Sequence, residues 1–118
     1  MIIIFLQKLL KVKFLVKKFM KINLFYLFTT SILKKKIHAL VIPKGEYTDL
    51  DDFSKRASEK EIAELIKGIN IVAKKIGISV DEGHGYRVIA NAGENGGQEV
   101  PHLHFHLLGG EKVGKMVS

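Results

Sequence analysis

The chain has no cysteine. That excludes disulfides and thiolate-held zinc, fits a reducing compartment, and sets the expected location as the cytoplasm. It also lacks a long hydrophobic run: the longest uncharged stretch, residues 22–33, has 12 residues, against about 20 needed to span a bilayer. The apolar opening of residues 1–6 is too short for a signal-peptide core and is soon interrupted by Lys8, Lys11 and Lys13. Two further absences are local. Residues 1–36 hold nine lysines and no acid, and all eleven glycines fall at or after Gly45. The overall charge of +7 therefore belongs to the first third alone, because residues 37–118 carry ten basic residues against twelve acids. A chain of 118 residues allows one small domain.

The most informative stretch runs Pro101-His102-Leu103-His104-Phe105-His106-Leu107-Leu108-Gly109-Gly110. Side chains alternate faces along a strand. A strand over 102–108 would gather His102, His104 and His106 on one face and anchor Leu103, Phe105 and Leu107 on the other. Three groups that titrate near neutrality on one face suit phosphate, metal or proton chemistry. Upstream, residues 37–44 read as a strand stopped by Pro43, followed by a polar acidic loop with Asp49, Asp51 and Asp52. The clearest helix spans about 58–76. Ser58 and Glu61 form a capping box, Ile62, Leu65, Ile66, Ile69, Ala73 and Ile76 supply the apolar face, and Gly77 is the stop. Gly68 inside it costs about 1 kcal/mol relative to alanine unless it permits close packing. A second strand is expected over 86–91, then a glycine-rich turn over 91–97. No internal repeat is present.

Two chemistries fit the histidines. A neutral imidazole can attack phosphorus and form a covalent nucleotidyl-histidine, with the glycine-rich turn offering backbone N–H groups to the anion. Alternatively, a His-x-His pair can ligate zinc or iron, with Glu99 or His38 completing the set. His38 alone reads equally as a hydrogen-bonded structural residue or as a catalytic one. His84, between two glycines, reads as solvent-facing. Residues 1–36 taken by themselves suggest a basic amphipathic segment for a lipid surface or a nucleic acid.

These pieces together resemble the histidine triad (HIT) family, specifically its Hint-type nucleoside phosphoramidases. The matching residues are Ile37-His38-Ala39-Leu40-Val41-Ile42-Pro43-Lys44, Gly85-Tyr86-Arg87-Val88 through Asn91, Gly96-Gly97-Gln98-Glu99-Val100, and the stretch His102 to Gly110. The resemblance covers residues 37–118. It implies an α+β fold, an antiparallel sheet with one long helix, and a homodimer. It further implies that His104 is the nucleophile that takes up a nucleoside monophosphate. His102 and His106 would orient it and contact phosphate, and His38 would support them. Asn91, Gly97, Gln98, Glu99 and the Val100 N–H would line the phosphate and leaving-group side. Glu99, a carboxylate there, favours a cationic or amine leaving group. Tyr47 stands where relatives often carry histidine. The implied partner is a purine nucleotide or nucleoside phosphoramidate; no cofactor, metal, nucleic acid or membrane is expected.

Residues 1 to about 33 do not follow the family pattern, which reads approximately I-F-A-K-I-I-K-G-E-I-P before an acidic hairpin and D-I-N-P. Written in AT-rich synonymous codons and read one base later, that peptide becomes Phe-Leu-Gln-Lys-Leu-Leu-Lys-Val-Lys-Phe-Leu, which is residues 5–15. The expectation is an out-of-frame N-terminus that returns to frame near Lys34-Lys35-Lys36. The chain would then be a non-matching segment, 1–36, and a HIT domain, 37–118, whose first strands are missing or replaced and whose sheet keeps an open edge. The ribose-binding acid would be lost near residues 29–33.

Overall fold

The computed structural model describes residues 16–19, 24–30 and 36–114. Their elements are β1 (Val16–Phe19), β2 (Leu24–Thr30), β3 (Ile37–Pro43), α1 (Leu50–Arg56), α2 (Glu59–Lys75), α3 (Val80–Gly83), β4 (Arg87–Ile89) and β5 (Phe105–Gly109). The strands form one antiparallel sheet in the order β1-β2-β3-β5-β4. This is the α+β arrangement expected, an antiparallel sheet with one long helix.

Alternation along β3 divides its side chains between two faces. Ala39 and Val41 join Leu24 and Tyr26 of β2 and Phe105 and Leu107 of β5 on the face covered by α2. From α2, Leu65, Ile69, Val72 and Ala73 close that core. Leu40 and Ile42, on the opposite face, are fully buried as well, so β3 is covered on both sides. His38 shares that second face.

α2 begins and ends as its sequence dictates. The Ser58 hydroxyl accepts from the Glu61 N–H (3.1 Å), and a Glu61 carboxylate oxygen accepts from the Ser58 N–H (3.2 Å). At the other end Gly77 takes φ +77°. The Gly77 N–H then donates to Lys74 and the Ile78 N–H to Ala73, a Schellman stop that only a left-handed residue permits. The inward stripe runs through Leu65, Gly68, Ile69, Val72 and Ala73. Two residues assigned to it are exposed instead. Ile62 lies in the first turn, and Ile66, 64% exposed, lies one 100° step past Leu65 at the margin of the stripe.

Three expectations change. The acidic loop after Pro43 contains α1, capped by Asp49, whose carboxylate accepts from the Asp52 N–H at 2.8 Å. Its sole buried residue is Phe53, which is too little apolar periodicity to be seen in sequence. The strand expected over 86–91 is confined to Arg87–Ile89. The N-terminal strands are not missing, since residues 16–19 and 24–30 supply β1 and β2, and β2 pairs with β3 along its whole length. The β3 edge expected to be open is therefore occupied. Because those residues sit in the sheet, a free amphipathic segment spanning all of 1–36 is not what they form. Of residues 29–33, where the ribose acid would be lost, 31–33 lie outside the described residues, as do residues 5–15, which carry the frame argument.

Leu107→Ala should lower stability by about 2–5 kcal/mol, because it empties a fully buried site between sheet and helix. The exposed Lys67→Ala should stay within about 0.5 kcal/mol. Urea denaturation of both variants checks this.

Candidate active site

The histidines are brought together by strand register. In the β3–β5 ladder His38 pairs with Leu108 and Leu40 with His106. His38 and His106 are thus diagonal neighbours on one face. Their rings meet, with His38 Nε2 and His106 Nδ1 at 2.9 Å and ring planes only 18° apart. One of these nitrogens donates and the other accepts, so at least one ring presents an unprotonated nitrogen to the other. His104 sits edge-on to His106, with ring centroids 5.1 Å apart.

His102 and His104 are not in the strand, contrary to the reading of 102–108 as continuous β. β5 starts at Phe105. Pro101 has no N–H to give a ladder, and the segment after it folds on itself. The His102 N–H donates to the Val100 carbonyl (2.8 Å), and the Leu103 N–H donates to the Tyr47 carbonyl (2.7 Å). Inward alternation nevertheless survives, with Leu103, Phe105 and Leu107 all buried. The His102 ring reaches the Pro43 carbonyl only at 3.4 Å.

His104 is 6% exposed, and its Nδ1 lies 2.8 Å from the His102 carbonyl. A carbonyl can only accept, so Nδ1 carries the proton and the neutral ring keeps its lone pair on Nε2. Burial pushes the His104 pKa down, partly offset by that bond to the His102 carbonyl. Burial also lowers His38. His106 falls to about 4, first through burial and then through repulsion from His104 and His38. His38, His104 and His106 are therefore held as neutral imidazoles at pH 7.

The glycine-rich turn follows β4. Asn91 is half-buried just beyond the strand, and residues 93–97 form the turn. Gly97 takes φ +76°, which an L side chain rarely adopts, and its N–H donates to the Glu94 carbonyl (3.0 Å). Gln98 is turned inward: its side chain accepts from the Gly93 N–H and donates to the Thr48 and Val100 carbonyls. Glu99 is exposed. It lines a groove of about 570 Å³ with Asp49, Glu94 and Gly97, among others. Val100 is fully buried and offers its carbonyl to two donors. His84 is exposed in a left-handed turn away from these residues.

Sequence motifs did not reveal the backbone carbonyls of Pro43, Tyr47, Thr48 and His102, which orient the cluster. A backbone acceptor carries no residue-type signal. Among the described residues no group of three or more His, Asp or Glu is arranged to hold a metal ion. Nor is any helix among them long and apolar enough to cross a membrane.

The lowered histidine pKa values set a pH dependence of folding. Below pH 6.5 the unfolded chain binds protons that the folded histidines refuse, so stability falls as pH drops from 6.5 towards about 4. His106→Asn should make that slope shallower. Chemical denaturation at a series of pH values measures both.

A sequence profile of the HIT domain matches residues 13–113, starting upstream of the motif pieces that begin at Ile37. An uncharacterized HIT-like protein of Azospirillum brasilense is 49% identical over 81 residues, 69% of this chain and 64% of the relative. The purine nucleoside phosphoramidase of Escherichia coli K12 is 38% identical over 81 residues, 69% of this chain and 65% of that protein. The chain thus spans just under two thirds of the length of both. Among solved structures, a histidine triad protein from Clostridium difficile superposes with a TM-score of 0.66 at 31% identity, covering 95% of this chain and 93% of that one. A HIT family hydrolase from Legionella pneumophila gives 0.63 at 31% identity over 86% of each chain. With the profile spanning most of its length, this chain belongs to the histidine triad family.

Proposed function

We propose that this protein is a nucleotide-binding hydrolase that cleaves nucleoside 5′-phosphoramidates, or related nucleoside monophosphate conjugates, through a nucleotidyl-histidine on His104. The observation that carries this reading is the bond from His104 Nδ1–H to the His102 carbonyl. It leaves Nε2 of a buried neutral ring as the free lone pair, which is the requirement for a nitrogen nucleophile. The hydrolase and phosphoramidase named among the relatives support the same class.

In this reading Nε2 attacks phosphorus as the P–N bond breaks, and the amine nitrogen takes a proton from solvent as it leaves. Water then attacks phosphorus, the bond from Nε2 to phosphorus breaks and returns the lone pair to the ring, phosphorus keeps the hydroxyl, and the second water proton goes back to solvent. His106 and His38 form a neutral, hydrogen-bonded pair behind the nucleophile. His102 stands on the phosphate side, with Asn91, Gly97, Glu99 and the Val100 N–H as the remaining contacts. The carboxylates of Asp49, Glu94 and Glu99 around the adjoining groove favour a leaving group that departs as an amine. The same reading has the chain act as a homodimer. β4 is the outer strand beyond β5, and Val88, Ile62 and Ile66 are exposed apolar residues that pairing would cover. It also places the chain in the cytoplasm.

The out-of-frame origin of residues 1 to about 33 belongs to this proposal, since those residues hold six lysines and neither an acid nor a glycine, against the acidic hairpin of the family pattern. It would leave the phosphate end of the site intact and the ribose end without its carboxylate. The coding DNA tests it: a single-base shift must restore the family N-terminus.

His104→Ala should reduce hydrolysis of adenosine 5′-phosphoramidate by at least about 10⁴-fold, assayed in the chain as it stands and in a frame-corrected one. Retained turnover would remove His104 as nucleophile. Because burial lowers the pKa of His104, the acid limb of kcat should lie below pH 6.5, as a pH–rate profile would show.

A further inference from the structure

Gln98 lies half-buried between the two parts of the site, at the lining of the groove, and its side-chain hydrogen bonds go to backbone groups rather than to the histidines. Its backbone N–H donates to the Gly93 carbonyl at 3.0 Å, closing the glycine-rich turn. Its side-chain oxygen accepts from the Gly93 N–H at 3.0 Å. Its side-chain nitrogen donates to the Thr48 carbonyl at 2.6 Å and to the Val100 carbonyl at 2.9 Å. A glutamine amide has two donor hydrogens, and both are used here. The residue has no donor left for a phosphate oxygen.

The groups it ties together matter. Thr48 follows Tyr47, whose carbonyl holds the Leu103 N–H. Val100 shares its carbonyl with the His102 N–H. The His102 carbonyl in turn fixes the Nδ1 proton of His104. One side chain therefore connects the turn, the loop after β3 and the segment that sets the His104 tautomer. None of these three backbone stretches is held there by a strand ladder.

We infer that Gln98 is a positioning residue: its three-way clamp on Gly93, Thr48 and Val100 holds the His102 carbonyl where it fixes the protonation and aim of the His104 ring. This rests on the reading of His104 as nucleophile, and it shifts Gln98 from a phosphate contact to a part of the frame. The requirement is for a side chain that donates twice and accepts once at this length. Glutamate of equal length accepts but turns two donors into repulsion against carbonyls. Methionine fills the space and makes none of the three bonds.

The test combines the unaltered protein with two variants. In the unaltered chain, NMR should show the Gln98 side-chain amide protons protected from exchange, and His104 ¹⁵N shifts of a single Nδ1–H tautomer. In Gln98→Met and Gln98→Glu, His104 should become a mixture of tautomers. On adenosine 5′-phosphoramidate, kcat should fall about 10–100-fold with KM held within about threefold. A merely structural role would lower the Tm of the variants and leave the His104 shifts and kcat in place. A phosphate contact would raise KM and the Kd for adenosine monophosphate instead. Either result overturns the inference, as does free-amide exchange of Gln98 in the unaltered chain, which needs no variant to fold. A chain with no phosphoramidase turnover, yet with a protected Gln98 amide and a tautomer shift on substitution, would sink the proposed function and leave the clamp standing.

Discussion

The antiparallel pairing of β3 with β5 is the contact on which the other arrangements depend. Its register opposes Leu40 to His106 and His38 to Leu108. Sheet alternation then sends Ala39, Val41, Phe105 and Leu107 to the helix side and His38 and His106 to the other. A slip of one residue would exchange these sets, burying histidines in the core and exposing leucines. The apolar face thus enforces the histidine contact: the burial that stabilises the sheet also brings His38 within 2.9 Å of His106.

Around that ladder the protein holds a polar site with backbone acceptors more than with side-chain partners. The Tyr47, Thr48, Val100 and His102 carbonyls each receive a hydrogen bond from the segment spanning 98–104. Such acceptors cannot be protonated and do not add charge. The His102 carbonyl holds the buried His104 ring, while His38 and His106 satisfy each other. The low pKa of His106 is the signature of that environment, since burial and like-charge neighbours both penalise the imidazolium.

The loop after β3 illustrates how distant parts are tied to this frame. Tyr47 donates its hydroxyl to Glu61 at 2.6 Å, and Glu61 also belongs to the capping box of α2. Arg56 of α1 lies over the Tyr47 ring, pairs with Asp52 and donates to the Glu46 carbonyl. The start of the long helix, the short helix before it and the strap that holds Leu103 are thus one connected unit. Tyr47 has a packing and hydrogen-bonding role here.

Much of this was legible in the order of residues, and each success has a local cause. The capping box at Ser58, the stop at Gly77 and the strand ending at Pro43 all rest on interactions within a few residues, so periodicity and residue type are enough to read them. The motif order was enough to name the family. What failed was what local pattern does not encode. α1 has one buried residue, Ile66 falls at the edge of a stripe whose width the sheet sets, and β1 and β2 arise from a segment whose composition gave little helical or strand periodicity. Pairing with β3 decides that these residues are strands, because an extended segment beside an unpaired edge satisfies its backbone there. Likewise, the sequence alone supplied the imidazoles, while only the tertiary structure decided which nitrogen of His104 is protonated. That depends on the His102 carbonyl facing the ring, and the segment that carries this carbonyl is tied to those of residues 47, 48 and 100 only once the chain has folded.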